Sequence, residues 1–115
     1  MGLTLMSFSR NLMSELNRAR VRVFKVLGDP IRLEILELLR DGEVCVCEIF
    51  SKLNVPQPLV SRHLKILREC GLVRVRKEGN KRYYSVTDKR VYDVIEIVSK
   101  DFLDSIRAYV MEFQF

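Results

Sequence analysis

Long hydrophobic runs are missing from this chain of 115 residues, and nothing in it approaches the roughly 20 consecutive apolar residues that a membrane span requires. Its first residues, MGLTLMSFSRNLMSEL, lack a basic start followed by an unbroken apolar core, so no secretory signal is expected, and Met1-Gly2 with Met6 and Ser7 behind it is a poor myristoylation match. Cysteine is scarce and odd in number. Three residues (Cys45, Cys47 and Cys70) do not make a disulfide framework and point to the reducing cytoplasm, with thiols free for metal or redox chemistry. Histidine is limited to His63. No Ser/His/Asp or Cys/His pairing and no glycine-rich phosphate loop accompanies it, so the sequence does not read as an enzyme. Internal repeats, low-complexity tracts and linker-like Pro/Gly/Ser stretches are also lacking, which suits one domain spanning 1–115.

Apolar residues are plentiful at 48%, enough for a packed core. The charge is +5, from 20 Lys and Arg against 15 Asp and Glu, and its placement says more than its size. In RVRKEGNKR, residues 74–82, five cations stand against one acid, a density that suits either a polyanion partner or a solvated hairpin.

Hydrophobic periodicity predicts a helix from about Phe8 to Leu27 through Leu12, Leu16, Val23 and Leu27, closed by Gly28. Asp29 is an N-cap and Pro30 a first helical residue for PIRLEILELLR, which Asp41-Gly42 stops. EVCVCEIFSKL reads as a short extended start, then a brief helix from about Cys47 to Asn54. After the turn NVPQ comes a helix over residues 57–70, ended by Cys70-Gly71 with Gly71 suited to a left-handed close. LVRVRKEGNKRYYSVT alternates on both sides of Gly79-Asn80, a β-hairpin pattern. A final long helix, about 88–113, is capped by Thr87 or Asp88 and striped with Val91, Ile95, Val98, Phe102, Ile106, Tyr109 and Phe113.

Two short helices joined by a tight turn and followed by a hairpin make a mainly α winged helix-turn-helix. Its flanking helices, about 8–27 and 88–113, are too long and too apolar for so small a core. They predict a homodimer, against the simpler reading that they wrap a monomer.

On a helical wheel, residues 57–70 divide cleanly. Leu59, Val60, His63, Leu64, Ile66, Leu67 and Cys70 form one arc; Ser61, Arg62, Lys65, Arg68 and Glu69 form the other. A basic outward face on the second helix of this motif suits the DNA major groove, where Arg and Lys donate to guanine and Ser61 and Gln57 reach bases or phosphates. Gln57 stands at the reading end of the helix. Arg74, Arg76, Lys77, Lys81 and Arg82 would serve as a wing along the DNA backbone or in the minor groove. His63 falls among apolar neighbours and reads as a packed, hydrogen-bonded histidine. A protein-interaction module remains the alternative class, although that role asks for an apolar or acidic face.

The stretches VLGDPIRLEILELL, GEVCVCEIFSKLNVPQPLVSRHLKILRECGLV and VRKEGNKRYYSV resemble the ArsR/SmtB family of metal-responsive repressors, over roughly Phe24 to Val86. The resemblance implies a winged-helix homodimer that represses an operon from a palindromic operator and leaves it when an inducer binds. EVCVCEIF is similar to the family's thiolate box, ELCVCDLC: Cys45 and Cys47 match its first two cysteines, and Phe50 stands where the third would be. The helical His-containing site of the family has no counterpart, because the final helix has no histidine. Two thiolates favour arsenite, antimonite or another soft ion, including soft divalent metals, over Mg or Ca. No cofactor is required. The alternatives are a repressor without metal sensing, with Cys45 and Cys47 as small buried hydrophobes, or a thiol redox switch on the same pair.

Overall fold

The structure, a computed structural model, describes the backbone of residues 2–113 and the side chains of residues 9–113. Helix α1 runs Gly2–Leu27, starting earlier than the expected Phe8, and α2 runs Pro30–Leu38. Strand β1 is only Val44–Cys45, and α3 follows without a break at Val46–Lys52. Next come α4 at Gln57–Glu69, β2 at Val73–Glu78 and β3 at Lys81–Val86. The chain closes with α5 at Arg90–Ile97 and α6 at Lys100–Glu112.

Local chemistry sets most of these limits. Asp29 caps α2 by accepting the amides of Ile31 and Arg32 at 2.8 and 3.1 Å, with Pro30 placed where its missing N–H costs nothing. At the end of α4, Gly71 takes φ +83°, the Leu72 amide donates to the Leu67 carbonyl at 3.1 Å, and the Gly71 amide donates to Arg68 at 2.9 Å. That crossed pair is a Schellman close, which needs a left-handed residue at the position of Gly71. Gly79, with φ +60°, turns β2 into β3.

One long final helix does not form. The backbone leaves helical geometry at Val98, with φ −84° and ψ 68°, and Ser99 restarts it by accepting the Phe102 amide at 3.2 Å. A serine beside an acidic first turn is a competing cap, and here it divides an otherwise continuous apolar stripe. The two halves differ in burial: Val91 and Tyr92 of α5 are buried, whereas α6 buries none of its residues.

The core lies where α2, α3, α4, α5 and the sheet meet. It is built from Ile35, Leu36, Leu39, Ile49, Leu53, Val60, Leu64, Leu67, Val73, Tyr84, Val86, Val91 and Tyr92, joined by Leu27 at the end of α1. Tyr92 fixes α5 against α2 by donating its hydroxyl to the Leu36 carbonyl at 2.6 Å, with the Arg40 guanidinium 4.4 Å over its ring. The sheet is antiparallel in the order β1-β3-β2, with Cys45 opposite Tyr83 and Arg76 opposite Tyr83 on the other side. A mainly helical chain with this small sheet is a winged helix-turn-helix, as the sequence predicts.

Candidate nucleic-acid interface and thiol pair

Helix α4 sorts its side chains as the wheel requires. Val60, His63, Leu64 and Leu67 are buried, while Ser61, Arg62, Lys65, Arg68 and Glu69 are exposed, as is Gln57 at the first turn. The apolar arc packs against α2 and shares one core cluster with Ile49 of α3 and Leu53 at its C-cap, so the basic arc faces outward.

Wing and helix meet at a cleft of about 510 Å³, walled by Ser61, Lys65 and Arg68 of α4 and by Asn80 and Arg82 of the hairpin, over a floor of Val46, Phe50, Leu64 and Tyr84. No carboxylate lines it. Arg68 and Arg82 make no salt bridge among the described residues, and Lys65 reaches only a loose one with Glu69 at 3.9 Å. Four of the ten expected DNA contacts thus converge on one positively charged trough: Ser61, Lys65, Arg68 and Arg82.

The other six lie apart. Gln57 and Arg62 stand elsewhere on the exposed face of α4. In the hairpin, two-residue alternation and the register place Lys77 with Arg82 on the face that continues from Val75 and Tyr84, whereas Arg74, Arg76 and Lys81 lie on the opposite face. Arg76 is engaged already. It grips Glu43 through Nε at 3.0 and 3.2 Å and Nη2 at 2.7 Å, reaches Glu78 through Nη1 at 2.8 Å, and lies 4.7 Å over the Tyr83 ring. The hydrogen bonds from Arg76 hold the Glu43 carboxyl below its usual range, and the two carboxylates push the guanidinium further up. Sequence reasoning gave no sign of this grip, because Glu43 and Arg76 are 33 positions apart. Asn80 and Phe50 were likewise missed as lining residues. Their only signal was position, one in the tight turn and one on the inner face of α3.

Cys45 and Cys47 do not lie along one extended segment. Cys45 ends β1 with φ −64° and ψ 139° and caps α3, whose first turn holds Cys47. The bend brings the Cα atoms to 5.3 Å, and the two sulfurs are bonded to each other. Cys47 is exposed and Cys45 half-buried, so the pair is not a piece of core. Cys70 is half-buried and free, at the far end of α4. Among the described residues, no three His, Cys, Asp or Glu side chains gather into a metal-binding group. His63 is buried as expected, with its Nδ1 3.2 Å from Arg32 Nη1. No described helix is long and apolar enough to cross a membrane.

Known proteins share this arrangement. The family of bacterial regulatory proteins described as arsR matches residues 29–75, from the α2 cap to the middle of β2. An uncharacterized HTH-type transcriptional regulator from Methanocaldococcus jannaschii is 47% identical over 79 residues, 68% of this chain and 89% of that protein. The arsenical resistance operon repressor of Staphylococcus aureus is 40% identical over 74 residues, 64% of this chain and 71% of that one. Among solved structures, the homodimeric winged helix-turn-helix DNA-binding domain of a possible ArsR-family regulator from Mycobacterium bovis superimposes with a TM-score of 0.71 at 30% identity, over 81% of this chain and 89% of that chain. With its fold, the basic outer face of α4 and relatives matched over most of their length, the chain belongs to the arsR family of transcriptional regulators.

Proposed function

We propose that this chain is a homodimeric repressor that lays two α4 helices into successive major grooves of a palindromic operator and lets go when Cys45 and Cys47 capture a thiophilic ion. The observation that supports the DNA reading best is the trough between α4 and the wing: three cations without a lining carboxylate, mounted on a helix whose other side is locked into the core. Gln57, Ser61, Arg62, Lys65 and Arg68 read or flank the groove, while Lys77 and Arg82 follow the backbone. Two such helices must stand about 34–36 Å apart to serve one duplex, a spacing that only a second copy supplies.

The ion reading rests on the thiols. Reduced, Cys45 and Cys47 project from one bend, and two sulfurs suit arsenite, antimonite or a soft divalent metal. An ion held there pulls on the first turn of α3, whose Ile49 shares a core cluster with Val60, Leu64 and Leu67 of α4. Ligand and operator then weaken each other by one shared coupling free energy. The bonded sulfurs favour a second reading, in which oxidation of the same pair in place of ion capture moves α3.

Arsenite titrated into the reduced protein–operator complex, followed by electrophoretic shift, should release the wild type and leave the Cys45→Ser/Cys47→Ser double variant bound. Equal release from both proteins removes the thiol site from the account. Release of the wild type by a disulfide-forming oxidant but not by arsenite selects the second reading.

A further inference from the structure

His63 is the sole histidine of the chain and the one buried polar side chain among the described residues, 8% exposed at the middle of α4. Its partner is Arg32. Arginine has donors only, so the contact at 3.2 Å requires a lone pair on His63 Nδ1. The contact is therefore a hydrogen bond only while Nδ1 carries no proton. Arg32 is committed on its other edges too, giving Nε–H to the Val26 carbonyl at 2.6 Å and Nη2–H to the Lys25 carbonyl at 3.4 Å. These are carbonyls of the last turn of α1, which no helical amide can satisfy. A single guanidinium thus rises from the start of α2, closes the end of α1 and holds the centre of α4. Among the described residues it makes the one side-chain hydrogen bond that joins α4 to another helix.

We infer that Arg32 and His63 form a positioning clamp: they hold the recognition helix in register with the dimerisation helix α1 while His63 is neutral, and operator affinity falls when His63 takes up a proton. The inference rests on the reading of α4 as the recognition helix. Protonation removes the lone pair and sets two cations against each other. The groups that face the ring determine how it responds. From α2 and its cap they are Arg32 and the Asp29 carboxylate, whose Oδ1 lies 3.8 Å from Nδ1. From α1, the backbone carbonyls of Lys25 and Val26 reach the cluster, through Arg32. On α4 itself the nearest charges, Arg62 and Lys65, point to solvent. Asp29 Oδ1 already accepts two amides at the α2 cap, so a protonated ring must turn from Arg32 toward an oxygen in use. The turn acts on the stretch of α4 that bears Ser61, Arg62 and Lys65.

The full chain labelled with ¹⁵N gives ring-nitrogen signals from one imidazole only. The clamp requires the Nε2–H tautomer at neutral pH, and a neutral ring protonated on Nδ1 overturns the inference without reference to DNA. Operator affinity is then followed by anisotropy at constant ionic strength from about pH 8 to 5.5. The wild type should weaken about tenfold, as expected for loss of a hydrogen bond involving a charged donor. His63→Asn places an amide oxygen near the Nδ1 position and cannot be protonated there; it should keep the affinity measured at high pH and show no slope. An equal slope in His63→Asn, or none in the wild type, overturns the clamp. Should His63→Asn not fold by circular dichroism, Arg32→Leu replaces it and should be weak and flat; a wild-type slope in Arg32→Leu overturns the clamp equally. Absence of DNA binding at every pH condemns the DNA reading, and is told apart from clamp failure by the tautomer result.

Discussion

Arg76 and Arg82 lie on one hairpin in opposite settings. Arg76 has two carboxylate partners and an aromatic ring beneath it, so a DNA phosphate would have to displace Glu43 and Glu78 to reach it. Arg82 borders the trough without such a partner among the described residues. A cation contributes to counterion release only if it neutralises a phosphate. Arg82→Gln should therefore weaken operator binding and lower the slope of log K against log salt by about one, whereas Arg76→Gln should leave that slope unchanged. A salt series on both variants checks this; equal losses would return Arg76 to the backbone contacts. The grip on Arg76 also has a pH sign. The Glu43 carboxyl is depressed in the folded protein, so its contribution is present above its ordinary value of 4.5 and disappears as the pH falls below it. Both side chains are well solvated, so the stabilisation it gives is small.

At the scale of elements, the parts written in local chemistry were legible and the parts set by distant partners were not. Asp29-Pro30 announced the start of α2, Gly71 the end of α4, and Gly79-Asn80 the hairpin, because each acts on its own neighbours. The face of α4 was legible too, since a period of 3.6 residues decides which side chains are buried. Strand β1 was legible as a short extended start, but its pairing with β3, about 40 positions away, was not. The break at Val98 escaped because the apolar stripe runs through it, and only the cap at Ser99 marks the new start. The partners of His63 and Arg76 lie 31 and 33 positions away, beyond any local pattern. The Schellman close offers a quantitative test. A Cβ on Gly71 would meet nothing within 4 Å, so Gly71→Ala adds no clash and costs only the left-handed backbone at φ +83°. That cost is about 1 kcal/mol, seen as a melting temperature several degrees lower at fixed protein concentration. An unchanged melting temperature would mean that the end of α4 relaxes to another close.

The whole molecule is more extended than a compact chain of its length. Its radius of gyration is 18.7 Å, where about 13 Å is usual for a compact chain of this length. The excess comes from α1 and α6, which reach beyond the core and expose Leu12, Leu16, Phe24, Phe102, Ile106 and Tyr109, each at least 45% accessible. Apolar stripes on two helices that flank the same core ask for a symmetric partner, and a second copy offers both at once. Ile106 is the residue to change: at 48% exposure it contributes little to the protomer's own core, so Ile106→Glu should spare the fold and act on assembly. Sedimentation should show a shift toward monomer, with the circular dichroism of the protomer retained. Operator affinity should drop by about a hundredfold or more, because the second half-site no longer binds at high effective concentration. A variant that stays dimeric takes α6 out of the interface. A monomer that keeps its affinity would show that one α4 helix suffices, and the case for a palindromic operator would go with it.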